Sequence, residues 1–184
     1  GADVFWAGTL GAPLPNVRVL DGDGLPASAP PASGLDETGI TPDDVSALAT
    51  CDPTHVNLGT VLITLAPGSP TLTTLGLTPA DTVIGNFNNP LNGVWLSGAM
   101  LGLVAGDVID AMAWDGLNMS SSRLVFSLAP GSPTLTAIGA GPADILQSIV
   151  PGPPTILVQE ASLGLLPTDD IDALDIVEDF DSDL

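Results

Sequence analysis

Residues 65–72 read LAPGSPTL, and residues 128–135 repeat the same eight letters. The match continues on both sides: VLIT (61–64) corresponds to LVFS (124–127), and PAD at 79–81 corresponds to PAD at 142–144. All of these pairs share one offset, 63 residues (128 minus 65). Chance does not explain such agreement, so the chain contains an internal repeat, and the repeated unit decides the fold.

Two further blocks occur three times each. An aspartate-rich block, called here the Asp block, reads PDDVSAL (42–48), GDVIDAM (106–112) and TDDIDAL (168–174). A second, the Ala-Asp block, reads ADVF (2–5), ADTV (80–83) and ADIL (143–146). Apolar, β-branched and aromatic residues dominate these blocks, which is typical of β-strands.

One unit therefore reads as four strands. The Asp block is the first, and the VLIT or LVFS block is the second, ended by a Pro-Gly-Ser-Pro turn. The Ala-Asp block is the third. VWL (94–96) is the fourth, with VRVL (17–20) and TILV (155–158) as its equivalents. Short helical turns at the Asp blocks stay open as an alternative, because Asp beside Pro can cap a first helical turn.

These blocks predict an all-β fold of about 11 strands in three four-strand repeats. A closed threefold arrangement, a propeller-like one and stacked sheets all suit such repeats. The 21 glycines and 18 prolines argue against any helix longer than about two turns. We interpret residues 1–184 as a single β domain, with repeat units at approximately 1–39 (partial), 40–103, 104–165 and 166–184 (partial).

The phrases LVFSLAPGSPTL…GPADIL and GLLPTDDIDALDI resemble repeats in large secreted bacterial proteins of unassigned function. The resemblance covers most of residues 40–176. It implies export, hence an extracellular or cell-surface location, and a β-fold. It transfers no activity.

Charge is the second strong feature of the sequence. There are 22 acidic residues against two arginines, Arg18 and Arg123, and the formal net charge is −20. Nucleic acid is excluded as a partner, because phosphate binding needs clustered Lys and Arg. No run of 18 apolar residues exists, so membrane insertion is not expected. Self-repulsion at this charge is relieved by spreading it over loops or by binding divalent cations, and weak calcium sites suit extracellular proteins.

The repeated aspartates are the candidate calcium ligands, since Ca²⁺ prefers carboxylate and carbonyl oxygens. The alternative is that each one caps a turn through its own backbone. Neither block has the spacing of an EF-hand, so both interpretations stay open. The predicted ligands are Asp3, Asp43, Asp81, Asp107, Asp110, Asp144, Asp169 and Asp172.

An enzyme is not predicted. His55 is the single histidine and Cys51 the single cysteine, and no Gly-x-Ser-x-Gly motif is present. A catalytic triad or a four-ligand zinc site cannot be assembled from so few groups. Trp6, Trp95 and Trp114 could stack on sugars, although core packing is the stronger interpretation for Trp6 and Trp95.

The strand-two block occurs twice, whereas the other blocks occur three times. In a three-unit fold one sheet would lack a strand, beside residues 2–6 or 171–177. A strand donated by the next subunit could fill that gap, which makes copies of the chain the predicted partner, in a homopolymer. The predicted function is an extracellular structural protein that self-assembles into a fibre or surface layer, with calcium as a stabilising ion. The alternative is a secreted calcium-dependent module that binds carbohydrate or a cell surface.

Overall fold

The structure is a computed structural model, and it describes residues 4–6, 17–20, 35, 42–50, 60–86, 93–115 and 123–174. Ten strands lie in these ranges: β1 (Val4–Trp6), β2 (Val17–Leu20), β3 (Val45–Thr50), β4 (Thr60–Leu65), β5 (Thr82–Asn86), β6 (Val94–Leu96), β7 (Ile109–Asp115), β8 (Arg123–Leu128), β9 (Ile145–Ile149) and β10 (Thr155–Val158). The helices are α1 (Pro70–Leu75), α2 (Pro133–Ile138) and α3 (Glu160–Leu163), with a 3-10 helix at Gly98–Leu101.

Each repeat forms one open, antiparallel, four-stranded sheet. The first sheet has the order β3-β4-β5-β6 and the second the order β7-β8-β9-β10, while β1 and β2 pair in a separate two-stranded sheet. Chain order equals spatial order because every connection joins antiparallel neighbours. The all-β prediction is confirmed. A closed threefold is not found: the described strands form two four-stranded units, and neither sheet closes on itself.

The two sheets share their irregularities as well as their order. The β3–β4 register shifts between Val45 and Ala47, and the β7–β8 register shifts between Ile109 and Ala111. An extra residue in one strand of a pair is a bulge, which bends and twists the strand. Because the bulge falls at the same place in both Asp blocks, the sequence repeat is also a structural repeat.

Short helices begin within the octapeptide, whose Pro-Gly-Ser-Pro segment the sequence predicted only as a turn. In both units the second proline of Pro-Gly-Ser-Pro is the first helical residue, Pro70 in α1 and Pro133 in α2. Proline suits this position because its missing N–H would be unpaired there in any case. Each helix ends at a glycine with left-handed φ, Gly76 and Gly139. The alternative of helical turns at the Asp blocks is wrong for the first two copies, which enter β3 and β7.

Apolar side chains of β4 alternate between two clusters, as a strand buried on both faces requires. Val61, Ile63 and Leu65 face a cluster with Leu35, Leu72 and Val83. Leu62 faces the other way, into a larger cluster that joins the two sheets. That larger cluster contains Ala47, Ala49, Leu62 and Leu96 from the first sheet and Ile109, Met112, Leu124, Phe126, Leu128 and Leu146 from the second.

Buried hydroxyl groups of the strand-two blocks reach the following Asp block. Thr64 Oγ1 donates to the carbonyl of Ile109 at 3.3 Å, and Ser127 Oγ donates to the carbonyl of Ile171 at 2.9 Å. Thr64 corresponds to Ser127, and Ile109 corresponds to Ile171. The third Asp block therefore contacts the second sheet at the position where the second Asp block contacts the first. We call each of these contacts a joint.

Homopolymerisation by strand donation was predicted from a sheet that lacks a strand, and that prediction is wrong. Both copies of the strand-two block are central strands: β4 lies between β3 and β5, and β8 lies between β7 and β9. Each four-stranded sheet is complete within one chain. β1 pairs with β2, with Phe5 opposite Arg18. The third Asp block is not a strand at residues 171–174, so counting blocks overestimated the number of four-stranded sheets among the described residues.

Candidate metal site

Asp43 and Asp107 are buried, and both hold the first turn of a helix. Asp107 Oδ1 accepts the Thr134 N–H at 2.9 Å, and its Oδ2 accepts the Thr134 hydroxyl at 2.5 Å and the Val104 N–H at 2.7 Å. Asp43 makes the same pair of bonds with the N–H and hydroxyl of Thr71. The first N–H groups of a helix lack partners within the helix, so these two carboxylates act as caps supplied from another segment.

Asp81, Asp144 and Asp169 each close a turn with the N–H three residues earlier, at 2.7, 2.9 and 2.8 Å respectively. The other oxygen of Asp81 accepts the Gly98 N–H, and that of Asp144 accepts the Glu160 N–H. These carboxylates thus have the hydrogen bonds that the capping alternative requires. Asp3 lies outside the described residues.

A pair of acidic side chains shares a hydrogen bond at the end of the second unit. Contact with Asp144 raises the pKa of Glu160. Burial by itself would raise the pKa of Asp144, but the hydrogen bonds from the Glu160 side chain and from the Gly141 and Glu160 N–H groups lower it. When the pair holds one proton, that proton lies on Glu160, which then donates to the Asp144 carboxylate. In the first unit Gly98 takes the place of Glu160, so this pair occurs once.

Three carboxylates meet at the second joint, which makes this joint the candidate metal site. Asp110, Asp170 and Asp172 can each offer an oxygen, and these oxygens lie within 4.8 Å of one another. Asp110 is half-buried on β7, while Asp170 and Asp172 are exposed in the third Asp block. Carboxylate oxygens at such separations can share one Ca²⁺ ion, which takes six to eight oxygen ligands. We call this group the acidic triad.

The acidic triad is specific to the second joint. At the first joint the corresponding positions hold Ser46, Val108 and Asp110, so only one carboxylate is present. There Ser46 Oγ lies 2.9 Å from Thr64 Oγ1 and exchanges a hydrogen bond with it. Of the eight predicted metal ligands, the structure brings together Asp110 and Asp172. Asp170 was missed because its position in the repeat holds Asp44 in the first Asp block but Val108 in the second.

Partial burial and electrostatic repulsion within the acidic triad both favour the protonated form of Asp110. Partial burial, followed by the charges of Asp170 and Asp172 and a hydrogen bond with Asp170, raises the pKa of Asp110 from 3.8 to about 6. Ionised Asp110 is therefore unfavourable in the folded chain unless a cation compensates it. The same crowding that raises this pKa favours a divalent ion.

A pH dependence of stability follows, in chelator. The folded pKa of Asp110 exceeds the unfolded one, so the folded state binds more protons between about pH 4 and about pH 6. The stabilisation from proton binding by Asp110 is fully present below the pKa of the unfolded state. It is lost as the pH rises through the pKa of the folded state. We expect the loss to be about 1 kcal/mol, because solvent screening reduces the full linkage value.

The measurement is urea unfolding of the wild type and Asp110→Asn from about pH 4 to about pH 7. The wild type should lose stability relative to Asp110→Asn as the pH rises. Asp44→Asn is the matched control, because exposed Asp44 holds the position of Asp170 in the first unit. Parallel pH profiles for the wild type and Asp110→Asn would contradict the assignment.

Two of the tryptophans pack on each other. The rings of Trp95 and Trp114 meet edge to face, with centroids 4.1 Å apart and planes at 73°. Both are half-buried against the larger core cluster. Each of these two rings contacts the other and the core, and each remains partly exposed. The side chain of Trp6, together with Cys51 and His55, lies outside the described residues.

No helix in the described ranges is long and apolar enough to cross a bilayer. Comparisons with family models, with curated proteins and with solved structures found no match to this chain.

Proposed function

We propose that the protein is a non-catalytic structural module of an extracellular or cell-surface protein, and that calcium stabilises its second joint. The observation that carries the proposal is the acidic triad, in which Asp110 from the second unit meets Asp170 and Asp172 from the third Asp block. An ion there would bind two segments at once, so its binding energy would resist separation of the joint.

Charge composition supports a cation at this place. The chain carries a formal charge of −20, so its own basic groups cannot neutralise the acidic ones. Extracellular calcium is millimolar, and modules that bind it at 10⁻⁴–10⁻³ M are known. A weak site of three carboxylates suits that concentration.

Repetition supports a structural role. Two units of the same order, bulge and helix pack through one continuous cluster, and the third Asp block begins a further unit in this proposal. Most aspartates of the repeat accept hydrogen bonds that stabilise turns and helix ends, which is a structural role. With one histidine and one cysteine in 184 residues, the sequence offers few groups for catalysis.

Calcium should raise the melting temperature through the acidic triad. A ligand that binds only the folded state stabilises it by about 1.4 kcal/mol at roughly ten times its Kd. Thermal melts in EDTA and in millimolar CaCl₂ measure the effect, with MgCl₂ as the ion control. Asp170→Asn and Asp172→Asn should each remove most of the calcium-dependent rise.

Asp44→Asn, which makes the same charge change as Asp170→Asn but in the first Asp block, should keep the calcium response. Identical wild-type melts in EDTA and in calcium would exclude the metal. A calcium response that survives in both Asp170→Asn and Asp172→Asn would mean that the ion binds elsewhere.

A further inference from the structure

Two corresponding leucines differ sharply in burial. Leu101, in the 3-10 helix before the second Asp block, is 0% exposed, whereas Leu163, in α3 before the third Asp block, is 47% exposed. The local backbone is the same in both places. The Leu103 N–H bonds to the Gly98 carbonyl at 2.8 Å, and the Leu165 N–H bonds to the Glu160 carbonyl at 3.0 Å. The turn is therefore formed in both places, and the difference lies in how far neighbouring residues bury the leucine.

The core cluster that buries Leu101 includes strand two of the second unit. Leu101 lies in the larger core cluster with Leu124, Phe126 and Leu128, which are the inward residues of β8. Both strand-two blocks of this chain already belong to the first two sheets. In the described part of the chain, nothing equivalent covers Leu163, and Leu165 is only half-buried.

Asp169 shows the same difference in its polar contacts. Asp43 and Asp107 are buried, and each holds the N–H and hydroxyl of a threonine that follows strand two. Asp169 closes its own turn with the Leu166 N–H but, among the described residues, holds no threonine. Among the described residues, none forms with residues 171–174 the antiparallel pairing that β4 forms with β3 and β8 forms with β7.

We propose that Leu163, Leu165, Asp169 and residues 171–174 form a docking surface for an extended polypeptide segment of the strand-two type. The segment would add a strand beside residues 171–174, as β8 does beside β7. Its apolar residues would cover Leu163 and Leu165. The threonine of its Pro-Gly-Ser-Pro-Thr turn would donate two hydrogen bonds to Asp169, as Thr134 does to Asp107.

A second copy of this chain is not the occupant. Its two strand-two blocks are central strands, with hydrogen-bonded neighbours on both sides, and donating either would dismantle a complete sheet. The partner is a segment of this chemistry that is not already folded into a sheet of its own. Residues 171–174 include Asp172 of the acidic triad, but the inference does not require calcium, because the burial difference between Leu101 and Leu163 and the contacts of Asp169 carry it.

A synthetic peptide tests the surface directly. The probe is a fluorescein-labelled peptide with the sequence of residues 123–139, RLVFSLAPGSPTLTAIG, titrated with the full chain and followed by fluorescence anisotropy. Saturable binding is expected. Leu163→Asp, Asp169→Ala and a peptide with alanine in place of its Pro-Thr threonine should each weaken binding by about tenfold or more.

Leu75→Asp is the matched control, because Leu75 is 50% exposed on α1, away from the proposed surface. It should bind the peptide like the wild type, and a reversed-sequence peptide should not bind. Leu163 is exposed, so circular dichroism of Leu163→Asp should match the wild type. Absence of saturable binding, or equal binding by Leu163→Asp and the wild type, would overturn the proposal. Self-association of the chain that Leu163→Asp abolishes would also overturn it, since a second copy would then be the occupant.

Discussion

Replacing Asp107 with alanine should lower the free energy of unfolding by about 3 kcal/mol. The carboxylate is 1% exposed and accepts three hydrogen bonds, from the Thr134 N–H, the Thr134 hydroxyl and the Val104 N–H. Alanine leaves the two Thr134 donors buried without acceptors, and each such group costs about 1–3 kcal/mol. It also leaves α2 without its cap. Urea unfolding followed by circular dichroism measures the change.

Asp169→Ala is the control at the corresponding position of the third Asp block. It removes the same carboxylate, but the bond it breaks, from the Leu166 N–H, is exposed to solvent. The expected change is below about 1 kcal/mol. If Asp107→Ala and Asp169→Ala destabilise the chain equally, the cap that Asp107 provides for α2 does not stabilise the second unit.

Gly102→Ala should destabilise the chain by about 3 kcal/mol. Gly102 has φ +71°, and a Cβ built there would lie 2.6 Å from Pro153 Cα and 3.1 Å from Pro154 Cδ. The left-handed backbone alone costs alanine about 1–2 kcal/mol. The rest comes from the contact with Pro153, whose backbone cannot move away without displacing the turn before β10. That turn is also tied to the 3-10 helix by the Gly152 N–H, which bonds to the Met100 carbonyl.

Gly164→Ala separates the two effects. Gly164 has φ +75°, and nothing lies within 4 Å of a Cβ built there. Only the backbone penalty applies, so the expected loss is about 1 kcal/mol. Equal losses at Gly102 and Gly164, measured by urea unfolding, would mean that the turn before β10 yields and that the close approach is not a constraint.

The strands were predictable because the residue pattern that favours them is local and occurs in both units. Blocks such as VLIT and LVFS are apolar and β-branched, and turns rich in Gly and Pro separate them. The order of each sheet then follows from antiparallel pairing of successive blocks. The number of units was not predictable in the same way, because an Asp block becomes a strand only when strand two lies beside it. The third block has no such neighbour among the described residues, and its residues 171–174 are not a strand.

The helices were missed although a signal was present. Ser69-Pro70 and Ser132-Pro133 have the form of a helix start, and Gly76 and Gly139 have the form of a helix end. The turn-forming Pro-Gly masked that pattern. The acceptor for the first turn could not be identified from sequence, because Asp43 caps a helix that begins 27 residues later at Pro70 (70 minus 43).

The candidate site was half predictable. Asp110 and Asp172 belong to the repeat, so equivalence alone pointed to them. Asp170 has an equivalent in Asp44 but not in the second Asp block, and its approach to Asp110 depends on how the third Asp block contacts the second sheet. That contact is a tertiary arrangement which no spacing in the sequence specifies.

The position of the two arginines has a consequence for proteolysis. Trypsin cleaves after lysine and arginine, and this chain has no lysine and only Arg18 and Arg123. Arg18 lies in β2, and Arg123 lies in the central strand β8, opposite Asp115 on one side and Ile149 on the other. A strand must lose the hydrogen bonds to its neighbouring strands before a protease can bind and cleave it, so cleavage requires local opening. The rate of tryptic cleavage after Arg123 therefore reports how often the second sheet opens locally.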